Sequence, residues 1–223
     1  NLFEFLMILL SLIVGLGLAE ILAGIARFLK RSGKHDIPWV HGAATLAIFV
    51  ALLQTFWESW GLRTIELWSF PAMLLMLGSP ICLYLMAYIL FPEKDEHTAL
   101  DQYYFERARL LWPLAGLTVV VGTLFRPIAF GDSLWAIDHA SGIPILVVCA
   151  ILTVTKNRIA HRILVPVVLA SVLLDTLTFS HQLAEAIKEN VIGRSVCFWP
   201  IASIRQEHER GAALLRIAAS RDF

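Results

Sequence analysis

The stretch that decides the fold is NLFEFLMILLSLIVGLGLAEILAGIARFLK, residues 1–30. Its apolar run extends from about Phe5 to Ala26, and Glu20 is the one charged residue inside it. A helix needs roughly 20 mostly apolar residues to cross a bilayer. The run has no basic segment before it and no small-residue cleavage site after it, which favours a retained helix over a signal peptide. It therefore predicts a first transmembrane helix.

The same criterion applies along most of the chain. The 223 residues are 58% hydrophobic and 16% charged, with a mean hydropathy of +0.71, whereas soluble domains are about a quarter charged. The sequence therefore predicts an all-α integral membrane bundle of six transmembrane helices. The five further spans are predicted at about residues 38–60, 67–91, 110–130, 134–154 and 161–183.

The connections predict the domain organisation and the orientation. Residues 1–187 are expected to form the transmembrane domain, and residues 188–223 an extramembrane C-terminal tail that is disordered or forms an interfacial helix. Ten Lys and Arg residues lie at the first, third and fifth connections, against two at the second and fourth. Because basic loops stay in the cytoplasm, this alternation places the N-terminus outside.

Composition argues against several function classes. The 18 basic and 18 acidic residues cancel, and no basic cluster with interleaved aromatic residues suggests nucleic-acid binding. Cys82, Cys149 and Cys197 are far apart, so they are predicted to be packing residues and not zinc ligands or a redox pair. No phosphate-binding loop or nucleophile motif occurs, which favours a protein that is not an enzyme.

Charged residues inside the predicted spans are the first functional candidates, because a charge at the membrane centre costs about 3 kcal/mol on insertion scales. Glu20 shares a helix face with Gly17 and Gly24, and these glycines would let another helix approach closely. Two interpretations of Glu20 remain open. It has a structural role, in which it is protonated or bonds a partner such as His41, or it belongs to a proton or ion relay.

The last predicted span carries a polar stripe with Asp175 at its deepest point. Its members step by four, three, four and three residues, which keeps them on one helix face. The stripe either lines a conduction path or joins helices through hydrogen bonds. Its members are Ser171, Asp175, Thr178, Gln182 and Glu185.

The outer half of the predicted bundle holds most of the remaining polar and titratable residues, and these come from four different spans. A salt-bridged network around Arg126 is one interpretation, because buried charges are generally paired. A metal site is a second, although no HxxxH or HExxH spacing supports it. Axial ligation of haem by His139 and His181 is a third. The residues concerned are Gln54, Glu58, Arg126, Asp138, His139, Asp175 and His181.

Aromatic residues gather at the predicted span ends. Trp57, Trp60 and Trp68 flank the turn between the second and third spans. The segment Tyr103–Phe105 precedes the fourth span. Both groups are predicted to lie at the headgroup level, where aromatic rings are enriched.

Three segments carry a resemblance to a known group of proteins. They are EFLMILLSLIVGLGLAEILAGIARFLK (residues 4–30), LLQTFWESWGLR (52–63) and DQYYFERARLLWPLAGL (101–117). Together they resemble an uncharacterised family of small polytopic bacterial inner-membrane proteins, over roughly residues 1–183. Because that family has no assigned activity, the resemblance implies only the fold and the bacterial inner membrane as location.

The functional expectation is a transport or channel-like module in which Glu20 and the Asp175 stripe line a polar intramembrane path. The alternatives are a structural or regulatory membrane subunit and a membrane haem or electron-transfer protein. The expected partners are the lipid bilayer and either a second copy of the chain or another membrane protein.

Overall fold

The computed structural model describes residues 2–30, 38–64, 68–92, 100–130 and 142–197. The side chain of Arg126 and the side chains beyond Thr178 lie outside this description. Within these ranges the secondary structure is entirely helical. The helices are Leu2–Lys30 (α1), Trp39–Ser59 (α2), Phe70–Leu90 (α3), Leu100–Phe130 (α4), Gly142–Val154 (α5) and Arg158–Cys197 (α6), with a 3₁₀ helix at Trp60–Thr64.

Five helices of the described part, α1 to α4 and α6, are long and apolar enough to cross a membrane. The predicted all-α membrane bundle is confirmed at this level. Helix α5 has 13 residues, and residues 131–141, where the predicted fifth span begins, lie outside the described ranges. The count of six spans therefore stays a prediction.

The chain divides into two compact units, Asn1–Thr176 and Leu177–Phe223. The described residues of the first unit hold the helix bundle. In the second unit the backbone of α6 continues to Cys197, and residues 198–223 lie outside the description. The predicted boundary between residues 187 and 188 therefore stays a prediction.

Local signals explain where α2 and α3 begin. Pro38 precedes α2 and has an extended backbone with ψ of 114°. The Ser69 hydroxyl accepts a hydrogen bond from the Ala72 backbone N–H at 3.3 Å, which caps the start of α3. Pro71 occupies the first turn of α3, where a missing N–H costs nothing.

Helix α3 packs along α1, α2 and α4, and α4 also packs against α5. Gly17 of α1 lies against the side chain of Leu52 and the backbone of Tyr84, and Gly24 lies against the ring of Phe91. A side chain at either glycine would push these helices apart. The prediction that these glycines allow close helix approach is therefore confirmed.

The two ends of the bundle differ, and we name them by their charge. The basic end carries the α1–α2, α3–α4 and α5–α6 connections, and the acidic end is the opposite end, where α2 ends near Glu58. Helix α6 contributes Val165 and Val168 to the buried core, and polar side chains join it to other helices at both ends of the bundle. A cavity lies among these helices.

Candidate ligand-binding cavity

A central cavity of about 170 Å³ lies among α2, α3, α4, α5 and α6. On α2 the cavity is lined by Ala44, Ala47 and Ala51, whose short side chains leave space, together with Ile48 and Gln54. The other walls are mostly apolar side chains, and they include the buried Cys149 as well as Thr118 and Ser171. The cavity is therefore apolar over most of its length.

The acidic end of the cavity is organised by Gln54. Its Nε2 group donates to Glu58 Oε1 at 2.6 Å and to Asp175 Oδ2 at 3.3 Å. The Thr176 hydroxyl contacts Gln54 Oε1 at 2.8 Å, and it is shared with the carbonyl of Val172. These partners fix the amide orientation, because only its NH₂ group can donate to two carboxylates. One amide thus holds two carboxyl groups from α2 and α6 together.

Gln54 and Asp175 line the cavity directly. Glu58 lies one helical turn beyond Gln54 and is half-buried, whereas Asp175 is exposed. Glu58 therefore orients the amide, and Asp175 presents its carboxyl group where the cavity opens. The cavity therefore has an apolar interior and two carboxyl groups at or near one end.

The opposite end of the cavity is closed by Trp112, which lines it. The Trp112 indole N–H donates to the Tyr104 hydroxyl at 3.2 Å. Because that hydroxyl accepts from Trp112, its own proton is available for His161 Nδ1, 3.1 Å away. His161 Nε2 then carries the ring proton and donates to the Thr155 carbonyl at 2.9 Å. All three side chains are buried, and this order satisfies each of them.

His41 binds a backbone carbonyl at the C-terminal end of α3. Its Nε2 lies 2.9 Å from the carbonyl of Leu90, the last residue of α3, and the Tyr103 hydroxyl donates to the next carbonyl, that of Phe91, at 3.3 Å. The other ring nitrogen of His41 faces the Thr45 hydroxyl at 3.5 Å. The predicted pairing of Glu20 with His41 is therefore wrong, because both ring nitrogens of His41 have other partners.

The two aromatic groups face the bundle differently. Tyr103 and Tyr104 are buried and face the inside of the bundle, whereas their depth in the membrane stays a prediction. Their hydroxyl groups have polar partners inside the bundle, which a lipid-facing position would not supply. Trp57 and Trp60 are exposed at the acidic end, whereas Trp68 packs against the core; their position at the headgroup level stays a prediction.

The remaining candidate residues are Glu20 and a set that lies outside the described part of the chain. Glu20 is half-buried on α1 and does not line the central cavity. The side chains of Arg126, His181, Gln182 and Glu185 and the whole of Asp138 and His139 lie outside the described residues. The Arg126 network and the haem site therefore stay predictions. Within the described ranges, no group of three His, Cys, Asp or Glu side chains could hold a metal ion.

The sequence contains a further signal for this site besides its charged residues. Three alanines and the two polar residues of α2 recur in steps of three, four, three and four, so they share one face. A row of alanines leading to a Gln–Glu pair indicates an open space with a polar end. The residues are Ala44, Ala47, Ala51, Gln54 and Glu58.

Comparison of the chain with protein-family models, with curated proteins and with solved structures finds no match.

Proposed function

We propose that this protein is a transport module that binds a small lipophilic cation in the central cavity. The observation that carries the proposal is the pair of carboxyl groups, Glu58 and Asp175, held by one amide at the end of an apolar cavity. An apolar body would occupy the space beside the alanine row. A positive group would lie at the Asp175 carboxyl.

The size of the cavity limits the ligand. Drug-sized ligands need about 300–1,000 Å³, and an apolar cavity of about 150 Å³ accommodates benzene. At about 170 Å³, this cavity suits an aromatic or aliphatic group of six or so carbon atoms. The proposed substrate class is therefore a small amine or quaternary ammonium compound with one compact apolar group.

The apolar walls favour transport of such a molecule over free conduction of ions. A hydrated ion crossing the bundle needs polar groups along its route, and the wall between Gln54 and Trp112 offers few. The polar path that the sequence predicts between Glu20 and Asp175 is replaced in this proposal by an apolar binding site with one polar end. Opening the basic end would require Trp112 to leave its contact with Tyr104.

The proposal includes the location that the sequence predicts: a bacterial inner membrane, with the N-terminus outside. In that orientation Asp175 faces the outer side and the Trp112 network faces the cytoplasm. The module would then take up its ligand from outside.

Uptake of radiolabelled phenyltrimethylammonium into proteoliposomes tests the proposal. This probe combines a compact aromatic ring with a permanent positive charge, so it does not cross lipid unaided. We expect uptake above that of protein-free vesicles. We also expect a loss of about tenfold or more in Asp175→Asn, equivalent to about 1.4 kcal/mol of binding free energy.

Glu106→Gln is the matched control. Glu106 accepts a hydrogen bond from Gln102 at 2.9 Å, four residues earlier on α4, and this pair is exposed. Uptake should be unchanged in that variant. Uptake no faster than in protein-free vesicles would contradict transport and favour a structural or regulatory subunit. Equal uptake in the wild type and Asp175→Asn would remove Asp175 from the site.

A further inference from the structure

The closed end of the central cavity contains a titratable ring, His161, at the contact between α4 and α6. Two layers of polar contacts join these helices. The outer layer is an ion pair, with 2.8 Å between Arg158 Nη1 and Asp101 Oδ2. The inner layer, three residues later on each helix, is the contact of the Tyr104 hydroxyl with His161 Nδ1. Trp112 connects the inner layer to the cavity, so His161 lies between the cavity and the outer ion pair.

The closed arrangement requires a neutral imidazole ring. His161 Nε2 carries the ring proton, because its partner is the Thr155 carbonyl, which can only accept. In a neutral ring Nδ1 then has no proton, and it accepts from the Tyr104 hydroxyl. A second proton would turn Nδ1 into a donor, and the Tyr104 hydroxyl proton would lose its acceptor. The ring is fully buried, so an unpaired charge there would also be costly.

The groups around His161 do not offset a positive charge on its ring. From α4, the Phe105 ring packs edge-on against it, with 5.1 Å between the centroids. The Arg158 guanidinium lies over that Phe105 ring at 5.2 Å, and the nearby carboxylate of Asp101 is already paired with it. Helix α5 contains no charged residue, and its one titratable side chain is Cys149. The other bases close to His161 in sequence are exposed, namely Lys156 and Arg162.

We propose that protonation of His161 opens the central cavity toward the basic end of the bundle. The proton comes from water at that end, and it removes the acceptor of the Tyr104 hydroxyl. The contact between α4 and α6 then separates, and Trp112 leaves the end of the cavity. Since the closed state holds the neutral ring, the basic end is closed at high pH and opens as the pH falls. This inference rests on the proposed function, because it supplies the step that releases the ligand.

The distance between two spin labels on the full chain in nanodiscs tests the inference without a ligand. The labels are attached at Glu106→Cys and Arg162→Cys, two exposed positions near the basic ends of α4 and α6, after alanine replaces the three native cysteines. Double electron–electron resonance compares about pH 8 with about pH 5, the range in which histidine titrates. We expect the ratio of a longer to a shorter distance to rise about tenfold or more at the lower pH, because the closed state loses a buried hydrogen bond.

His161→Gln and His41→Gln form a matched pair in the labelled protein. Both histidines are buried at the basic end, and both bond a backbone carbonyl. His161→Gln should remove the response to pH, whereas His41→Gln should keep it. Tyr104→Phe is a second, more conservative variant, and it should raise the longer-distance population already at about pH 8, where histidine is neutral. The same distances at both pH values in the wild type, an unchanged response in His161→Gln, or its loss in His41→Gln would overturn the inference.

Uptake of phenyltrimethylammonium separates this inference from the proposed function. The charge of this probe does not change with pH, so the same compound serves at both pH values. Label distances that respond to pH in a protein without uptake would contradict transport and leave the role of His161 in place. Uptake by a protein whose label distances do not respond would overturn the role of His161 and leave transport in place.

Discussion

The two ends of the central cavity use polar side chains in opposite ways. At the basic end, Trp112, Tyr104 and His161 form a buried chain in which every donor has an acceptor, and the chain finishes on a backbone carbonyl. At the acidic end, Gln54 holds the carboxyl groups of two helices, and Asp175 remains exposed. Neutral side chains close one end of the cavity, and carboxyl groups lie at the other end.

The polar groups at the two ends are suited to different roles. Buried polar groups that are fully satisfied fix helices in place, and they offer nothing further to a ligand. His41 and His161 share this role, because each donates to a carbonyl at or near the end of a helix, Leu90 for α3 and Thr155 for α5. The acidic end places two carboxyl groups on one amide, and the proposed cation would bind beside Asp175.

The largest expected effect is at the closed end. Trp112→Ala should lower the free energy of unfolding by about 3–5 kcal/mol, because it removes a buried indole and enlarges the cavity. Trp112→Phe keeps most of the volume and should cost about 1 kcal/mol for the lost hydrogen bond. Equilibrium unfolding in mixed micelles measures both. Equal losses in the two variants would show that the indole does not close the cavity by packing.

A smaller effect is expected where α1 meets the basic end. The added methyl group in Gly24→Ala would overlap the ring of Phe91, and overpacking of this kind costs about 1–3 kcal/mol. Gly15 on the same helix has no atom within 4 Å of an added methyl group. Gly15→Ala should therefore leave stability unchanged or raise it by up to about 1 kcal/mol. The same unfolding assay compares them, and similar losses would argue against close packing at Gly24.

The smallest effects compare two Gln–Glu pairs of the same spacing. Gln54→Met removes the amide that joins α2 to α6, and the net loss should be about 1 kcal/mol. Gln102→Met removes an exposed pair within one helix, and the loss should stay below about 0.5 kcal/mol. Unfolding of both variants decides whether the acidic end differs from an ordinary surface pair. A larger loss for Gln102→Met would reverse the comparison.

The sequence predicted the helical membrane class well, because the length and apolarity of a helix are local properties. It also predicted the close approach at Gly17 and Gly24, and it named Glu58 and Asp175, which the structure brings together through Gln54. A contact across 121 residues has no local signature. The one indication that Glu58 and Asp175 could meet is that each lies on a polar face of its helix.

The inward orientation of three ring side chains has a common physical cause. His41, Tyr103 and Tyr104 lie near helix ends, where a membrane chain commonly meets headgroups. In the structure they point inward, because two of the three bond carbonyl groups at the end of α3 that have no partner in that helix. Whether an aromatic residue faces lipid or a neighbouring helix end depends on the packing of that neighbour, which the sequence pattern does not contain.

Calorimetry tests directly whether the central cavity binds a small lipophilic cation at Asp175. It compares the binding of benzylammonium and of benzyl alcohol to the purified protein. The two compounds share the benzyl group and differ in charge. We expect the wild type to bind benzylammonium about tenfold or more tightly than benzyl alcohol. We expect Asp175→Asn to bind both compounds with similar affinity. Equal affinities in the wild type, or a preference for benzylammonium that survives in Asp175→Asn, would contradict binding of the cation at Asp175.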